Sequence, residues 1–281
     1  MDLLGVGTGH NELAPALQGL ETLSSGGFDM LLSSGAYADG VVPFGMWHNL
    51  PFSATFEELK EIWYETGASE LTNKVYMDMT NTFVLGPEIQ TNYIWLMKTG
   101  SPIKTLADYN GKKIRSPGGM DGEVQEALGA IPVRVTTGEM YTSFKTGVVD
   151  GGYLPAYCLE TYKLGELCES VTMPTYGGLA AVWLWVNGDS WAKIPADLQS
   201  MMHDQMDNVF VDMRIAENHK VNEKDAAYMK DNNIRVDVLS KADLAARQKL
   251  VDPILESYAT TIGPNGAALV KMLNDYRASN P

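Results

Sequence analysis

Short β-prone runs and helical spans alternate along all 281 residues, and no Pro-, Gly- or Ser-rich linker separates them. That alternation constrains the fold more than any single motif, because strands divided by helices of this length indicate an α/β protein with largely parallel sheets. Helices are expected over 11–25, where Leu13, Leu17 and Leu20 recur at helical spacing, and over 55–68, where Thr55 caps a face of Phe56, Leu59, Ile62 and Trp63. Between them lies a short buried strand, 28–33. Strands are expected at 74–83, 89–97, 112–116, 132–135, 148–150, 182–186 and 234–239. Helices fill 122–128, 139–145, a long stretch of about 196–230, and 267–277, with Ser240 and Asp243 opening one more. One pattern recurs: Ser25-Gly26-Gly27-Phe28-Asp29 and Thr146-Gly147-Val148-Val149-Asp150 each stop a helix at glycine and enter a strand, as two related lobes would.

Charge narrows the partners. With 21 Lys and Arg against 35 Asp and Glu, the formal net charge is −14. Such a surface repels phosphate backbones and anionic lipid, so nucleic acid is excluded as a partner. A small anionic ligand would need local positive charge. The longest nearly apolar run, 177–186, is too short to cross a bilayer, and the chain is not expected to be membrane-embedded. No positively charged, apolar leader opens the sequence, so no signal peptide is expected in it.

Most catalytic and metal chemistry finds no pattern. His10, His48, His203 and His219 never stand four apart, and Cys158 and Cys168 lack zinc spacing, so no metal site is expected. The two cysteines are read as buried free thiols. There is no Gly-x-Ser-x-Gly, and Gly5-Val6-Gly7-Thr8-Gly9 has neither a preceding strand nor a following Gly-Lys-Ser/Thr. No cofactor is expected.

The exception to the acidic character is Lys112-Lys113-Ile114-Arg115 before Ser116-Pro117-Gly118-Gly119. Arg115 is the last cation before the turn, so its guanidinium should emerge at the C-terminal end of a strand, where open α/β sheets place ligands. Its planar fork suits a carboxylate, and the helix beginning near Gly122 would aim amides at the same region. A surface Arg paired with an acidic neighbour is the alternative. Tyr37, Trp47, Tyr93, Trp95, Tyr153, Trp183 and Trp185 fall at strand ends or adjoining loops, the usual make-up of a small-molecule cleft. Each is also a plausible core residue.

In this order these segments resemble the solute-binding proteins of tripartite ATP-independent periplasmic (TRAP) transporters, the DctP family. The likeness rests on Gly26-x-x-Asp29-Met30, Leu50-Pro51-Phe52, Pro102-Ile103 through Asp108 and Gly111-x-Lys113 to Ile114-Arg115. It continues with Ala127-Leu128-Gly129-Ala130-x-Pro132, Glu139-x-Tyr141, Gly147-Val148-Val149-Asp150-Gly151, and Val186-Asn187 before Trp191 and Leu198. The specific part is 111–151.

The resemblance implies a two-lobed periplasmic-binding-protein fold with the ligand cleft between the lobes and a long helix spanning the hinge. Lobe I would hold 1–90 and 180–222, lobe II 91–179 and 223–281. It implies a periplasmic protein that delivers an organic acid to the TRAP membrane subunits and catalyses nothing, with Arg115 in a salt bridge to the ligand carboxylate. Trp95, Tyr153, Tyr37, Trp47 and Trp183 are the implied wall. Leu154 stands where the family often has Asn and Thr137 where an aromatic is common, so C4-dicarboxylate or sialic-acid specificity does not transfer. Tyr153 aligns with the acidic metal-binding residue of an α-keto acid-binding branch, which argues against a metal. A strand and long helix that ordinarily precede residue 4 in the family have no counterpart in this sequence. An enzyme on the same fold, with Glu139 and Tyr153 as its acid–base pair, and a sensory paralogue that binds a partner protein remain alternatives.

Overall fold

The computed structural model describes residues 14–51, 54–173 and 179–280. Phe52 and the first residues of the helix expected over 11–25 lie outside them. Among the described residues eight strands form: β1 (Met30–Ser34), β2 (Thr82–Lys98), β3 (Lys113–Ser116), β4 (Ile131–Arg134), β5 (Gly151–Pro155), β6 (Cys168–Met173), β7 (Leu179–Asn187) and β8 (Arg235–Val238). The α-helices are α1 (Gly19–Ser24), α2 (Phe56–Glu65), α3 (Ala68–Thr80), α4 (Gly119–Ala127), α5 (Met140–Thr146), α6 (Cys158–Thr161), α7 (Gly188–Trp191), α8 (Ala196–Gln205), α9 (Val211–Asp231), α10 (Lys241–Ile262) and α11 (Pro264–Ser279).

Strand β2 organises the molecule. Its 17 residues extend over roughly 55 Å at about 3.3 Å per residue, long enough to belong to two sheets. The first half pairs antiparallel with β7, which carries β1 on its other side. The second half pairs antiparallel with β5 and β6. Strand β3 runs parallel between β5 and β4, and β8 runs parallel beside β6. The register slips between Val84 and Gly86 and again between Ile89 and Asn92, where β2 passes from one sheet to the other. The result is a two-lobed α/β architecture.

The sheets are therefore mixed, not largely parallel as expected, because β2 and β7 run against every neighbour they have. A second correction concerns 74–83. Residues up to Thr80 belong to α3, whose buried Thr72, Val75, Tyr76 and Thr80 recur every three or four positions. Their β-branched and aromatic character imitates a strand, but their spacing fits a helix face. The helix expected over 55–68 is α2, capped by Thr55 and ending at Glu65, and α3 starts at Ala68 after Gly67 with its positive φ of 88°. The strand expected at 148–150 begins at Gly151 instead, after Gly147 ends α5 in the left-handed region.

From Ala196 to Asp231 the chain is helical throughout, with one π-turn at Met206–Phe210 between α8 and α9. Gly86 makes room for that turn: a Cβ there would meet Met206 Cγ at 2.3 Å. Asn218 Nδ2 donates to Ile89 O at 2.6 Å and fixes α9 across the middle of β2. Lys60 of α2 pairs with Asp212 near one end of α9, and Glu160 of α6 pairs with Lys224 near the other. One helix is thus tied to the middle of β2 and to helices α2 and α6.

The buried residues form two cores, one around Trp47, Trp63, Tyr76, Trp183 and Trp185, the other around Ile94, Leu96, Phe144, Leu154, Leu159 and Val171. Helix α11 lies on α2 and α3: Tyr276 OH donates to Glu61 at 2.5 Å, and Met272 covers Gly67. Cys158 and Cys168 are free and buried, and burial pushes both thiols up to about 12. No helix among the described residues is long and apolar enough to cross a membrane.

Candidate functional site: a buried arginine between two facing loops

Strand β3 pairs Ile114 with Gly151 and Arg115 with Gly152. Side chains alternate across a sheet, so Ile114 joins Trp95 and Tyr153 on one face, and Arg115 joins Leu154 on the other. Gly152 permits this close approach, since a Cβ there would stand 2.5 Å from Met140 Cε and 3.6 Å from Arg115 Cβ.

Arg115 is 2% exposed. Its Nε donates to Val135 O at 2.8 Å and its Nη1 to Tyr153 O at 2.9 Å, two good bonds that fix the plane of the guanidinium. The outer nitrogen is served less well. Nη2 reaches Tyr37 OH and Thr137 Oγ1, each at 3.3 Å. Tyr37 OH also lies 3.3 Å from Thr137 Oγ1 and accepts from Thr137 N at 3.3 Å. Four contacts, all long for hydrogen bonds, converge on one place. Among the described residues Arg115 forms no ion pair, so the surface-pair alternative does not hold.

Local sequence places the partners. Ser34 ends β1 and its hydroxyl accepts from Ala36 N, starting the turn that carries Tyr37. On the opposite side Thr136 and Glu139 form a capping box that rigidifies the turn bearing Thr137. The bonds from Thr136 hold the Glu139 carboxyl below its usual range, and this structural task accounts for that residue. Two or three positions along the same loops, Arg134 Nη2 pairs with Asp39 Oδ1 at 2.8 Å. Gly118 and Gly119 lie against this pair. A Cβ on Gly118 would stand 3.0 Å from both Asp39 Oδ2 and Arg134 Cζ, and one on Gly119 would stand 2.2 Å from Met46 Cε. The Ser-Pro-Gly-Gly turn thus lets the loops meet. Helix α4 starts here, at Gly119, and the group at its N-terminus is Asp39.

The expected residues separate into three groups. Arg115, Tyr37 and Thr137 come together. Trp95 and Tyr153 are close by but on the opposite face of the sheet, their rings 4.9 Å apart, with Tyr93 against Tyr153 at 4.6 Å. Tyr153 meets Arg115 through its carbonyl. Burial pushes the Tyr93 phenol upward, with the charge of Arg115 opposing that shift. Trp47 and Trp183 are not beside Arg115, whereas Leu154 shares its sheet face, and both stand against Gly152. Trp47 and Trp183 pack on each other at 5.8 Å and on Trp63 of α2, with Trp47 Nε1 donating to Thr72 of α3 at 3.1 Å. Leu154 is buried in the second core. The positions of Trp47 and Trp183 resembled a cleft wall, but helices α2 and α3 cover them.

Sequence reasoning missed Asp39, Arg134 and the Val135 carbonyl. Nothing in the sequence marks them, because their roles arise only when the loops face each other. Among the described residues no group of three or more His, Cys, Asp or Glu could hold a metal ion.

The family model described as bacterial extracellular solute-binding protein, family 7 (DctP), matches residues 8–261. The chain belongs to this family. Among curated relatives, the C4-dicarboxylate-binding periplasmic protein DctP of Rhodobacter capsulatus is 28% identical over 190 residues, 67% of this chain and 56% of that protein. The ectoine-binding periplasmic protein TeaA of Halomonas elongata is 24% identical over 172 residues, 60% of this chain and 50% of that protein. These matches span about half the length of either relative. Solved structures share the two-lobed fold more fully. A TRAP periplasmic solute-binding protein from Desulfovibrio salexigens with bound orotic acid superposes with a TM-score of 0.83 at 22% identity, covering 92% of this chain and 83% of that one. The ectoine-binding protein of the Halomonas elongata TeaABC transporter gives 0.86 at 21% identity, covering 95% and 87%.

Proposed function

We propose that this family 7 protein is the solute-binding component of a TRAP transporter, capturing a small organic acid between its lobes and delivering it to the membrane subunits from the periplasm, without catalysing a reaction. The observation that carries the reading is Arg115: a buried guanidinium, fixed by two main-chain carbonyls, whose outer edge makes only long contacts to hydroxyls. A carboxylate placed there would replace those contacts with charge-assisted bonds of about 2.7–2.9 Å. It would accept from Arg115 Nη2, Tyr37 OH and the Thr137 amide together. Relatives in the same family are named for binding such solutes, C4-dicarboxylate and ectoine among them.

Residues 1–90 and 180–222 with α11 make the proposed lobe I, and 91–179 with 223–263 make lobe II. Helix α11 moves to lobe I because it packs on α2 and α3. Tyr37 and Asp39 then approach from lobe I, Thr137 and Arg134 from lobe II. Closure of the lobes excludes water, and the Arg115–carboxylate attraction strengthens as the effective dielectric falls.

A thermal-shift screen against organic acids tests this. An acid at a hundredfold excess over its dissociation constant adds about 2.7 kcal/mol of apparent stability, and Arg115→Gln should abolish the shift. A folded wild type that responds to no acid, or a shift that survives in Arg115→Gln, would overturn the proposal.

A further inference from the structure

We propose that the cleft selects monocarboxylates, and that Asp39 excludes a second carboxylate by occupying its place. This rests on Arg115 as the anchor for the first one.

The argument begins with the cations. Every Lys and Arg of the chain lies among the described residues. Two of them make contacts on the facing loops, Arg115 and Arg134: Arg115 holds the carbonyl of Val135, the residue that follows Arg134. A dicarboxylate needs both, one for each end. Arg134, however, is already bonded to Asp39 Oδ1 at 2.8 Å. The other Asp39 oxygen faces the turn that opens α4, 3.0 and 3.2 Å from where Gly118 and Gly119 would carry a Cβ. A helix N-terminus and an arginine are the two groups that would welcome a second ligand carboxylate, and an acidic side chain of the chain itself stands at both. The other cations of this strand are turned elsewhere: Lys113 Nζ donates to Gly147 O at the far end of β3.

The consequences follow from charge. One ligand carboxylate meets one cation with no carboxylate partner and two hydroxyls. A second would meet a half-exposed cation already neutralised, with the mostly buried negative charge of Asp39 beside it. Repulsion between like charges there excludes it. A hydroxyl or amide N–H at that end of the ligand would instead find an acceptor in Asp39. The ligand class is therefore a monocarboxylate whose remainder is neutral or donates hydrogen bonds. It differs from the dicarboxylate named for the Rhodobacter capsulatus relative.

Calorimetric titration tests this with butyrate against succinate and 2-hydroxybutyrate against malate, beside pyroglutamate and mandelate as further monocarboxylates. In the wild type each monocarboxylate of a pair should bind at least tenfold tighter than its dicarboxylate. Asp39→Asn frees Arg134 and should improve succinate and malate at least tenfold, a gain that the added change Arg134→Gln should remove. Succinate or malate binding the wild type as tightly as its partner would overturn the proposal and leave the Arg115 anchor standing. So would a folded Asp39→Asn protein with unchanged preference; if that variant does not fold, the wild-type ratios decide alone. A wild type that binds neither class overturns the Arg115 reading and this proposal with it.

Discussion

Two groups of buried aromatic residues lie along β2, and they are built differently. In the first, Trp47, Trp63, Tyr76, Trp183 and Trp185 stack with ring centroids 5.6–6.0 Å apart, and α2 and α3 close over them. In the second, Tyr93, Trp95, Tyr109 and Tyr153 approach more closely, 4.6–5.2 Å, and the sheet behind them holds Arg115. Both groups are aromatic and water-poor. Only the second borders a cation whose outer nitrogen is left with stretched contacts. Aromatic residues at strand ends therefore do not separate a core from a binding cleft; the state of the polar groups next to them does.

The largest expected effect is on the first group. Trp183→Ala removes a side chain in ring contact with four others and should cost about 3–5 kcal/mol of stability, read from urea unfolding, while the ranking of bound acids stays the same. A changed ranking would show that the first group also faces the ligand. Next comes the loop contact. Gly119 has φ 48° and no space beside Met46, so Gly119→Val should hold the lobes apart. Solution scattering would then show no compaction on adding an acid that compacts the wild type; compaction as in the wild type would contradict the contact.

Tyr37→Phe takes one hydroxyl from the Arg115 edge and should weaken acid binding by about 0.5–1.5 kcal/mol, with unfolding unchanged. An unaltered affinity would remove Tyr37 from the site. The smallest effect lies outside both groups and serves as a control. Burial lifts the Asp225 carboxyl to about 6 from its usual 3.8, so the folded protein favours its protonated form. That contribution to stability is complete below about pH 3.8 and is lost as pH rises through 6. Asp225→Asn should raise the melting temperature above pH 6 and leave it unchanged near pH 4; an equal change at both would contradict the assignment.

Much of this was legible in the sequence where local rules govern. The strand expected at 112–116, the long helical stretch after Pro195, and the Ser240–Asp243 cap follow from spacing and capping chemistry, and the structure has all three. Arg115 stood out because it is cationic in an acidic chain. The helix at 74–80 was misread since Val75, Tyr76 and Thr80 favour strands by residue type, and packing on β2 overrides that preference. Trp47 and Trp183 were placed in the cleft because a sequence does not show which end of a strand is covered. Asp39 and Arg134 are 95 residues apart, and only the meeting of two loops makes them a pair.

The central claim is that Arg115 holds the ligand's carboxylate. Titrating the best-binding acid of the screen into wild type and Arg115→Gln, with both shown folded by circular dichroism, tests it most directly. Leaving a carboxylate buried without its cation costs about 2–5 kcal/mol, so affinity should fall by roughly 30-fold to several thousandfold. Equal affinities in the two proteins would contradict the account.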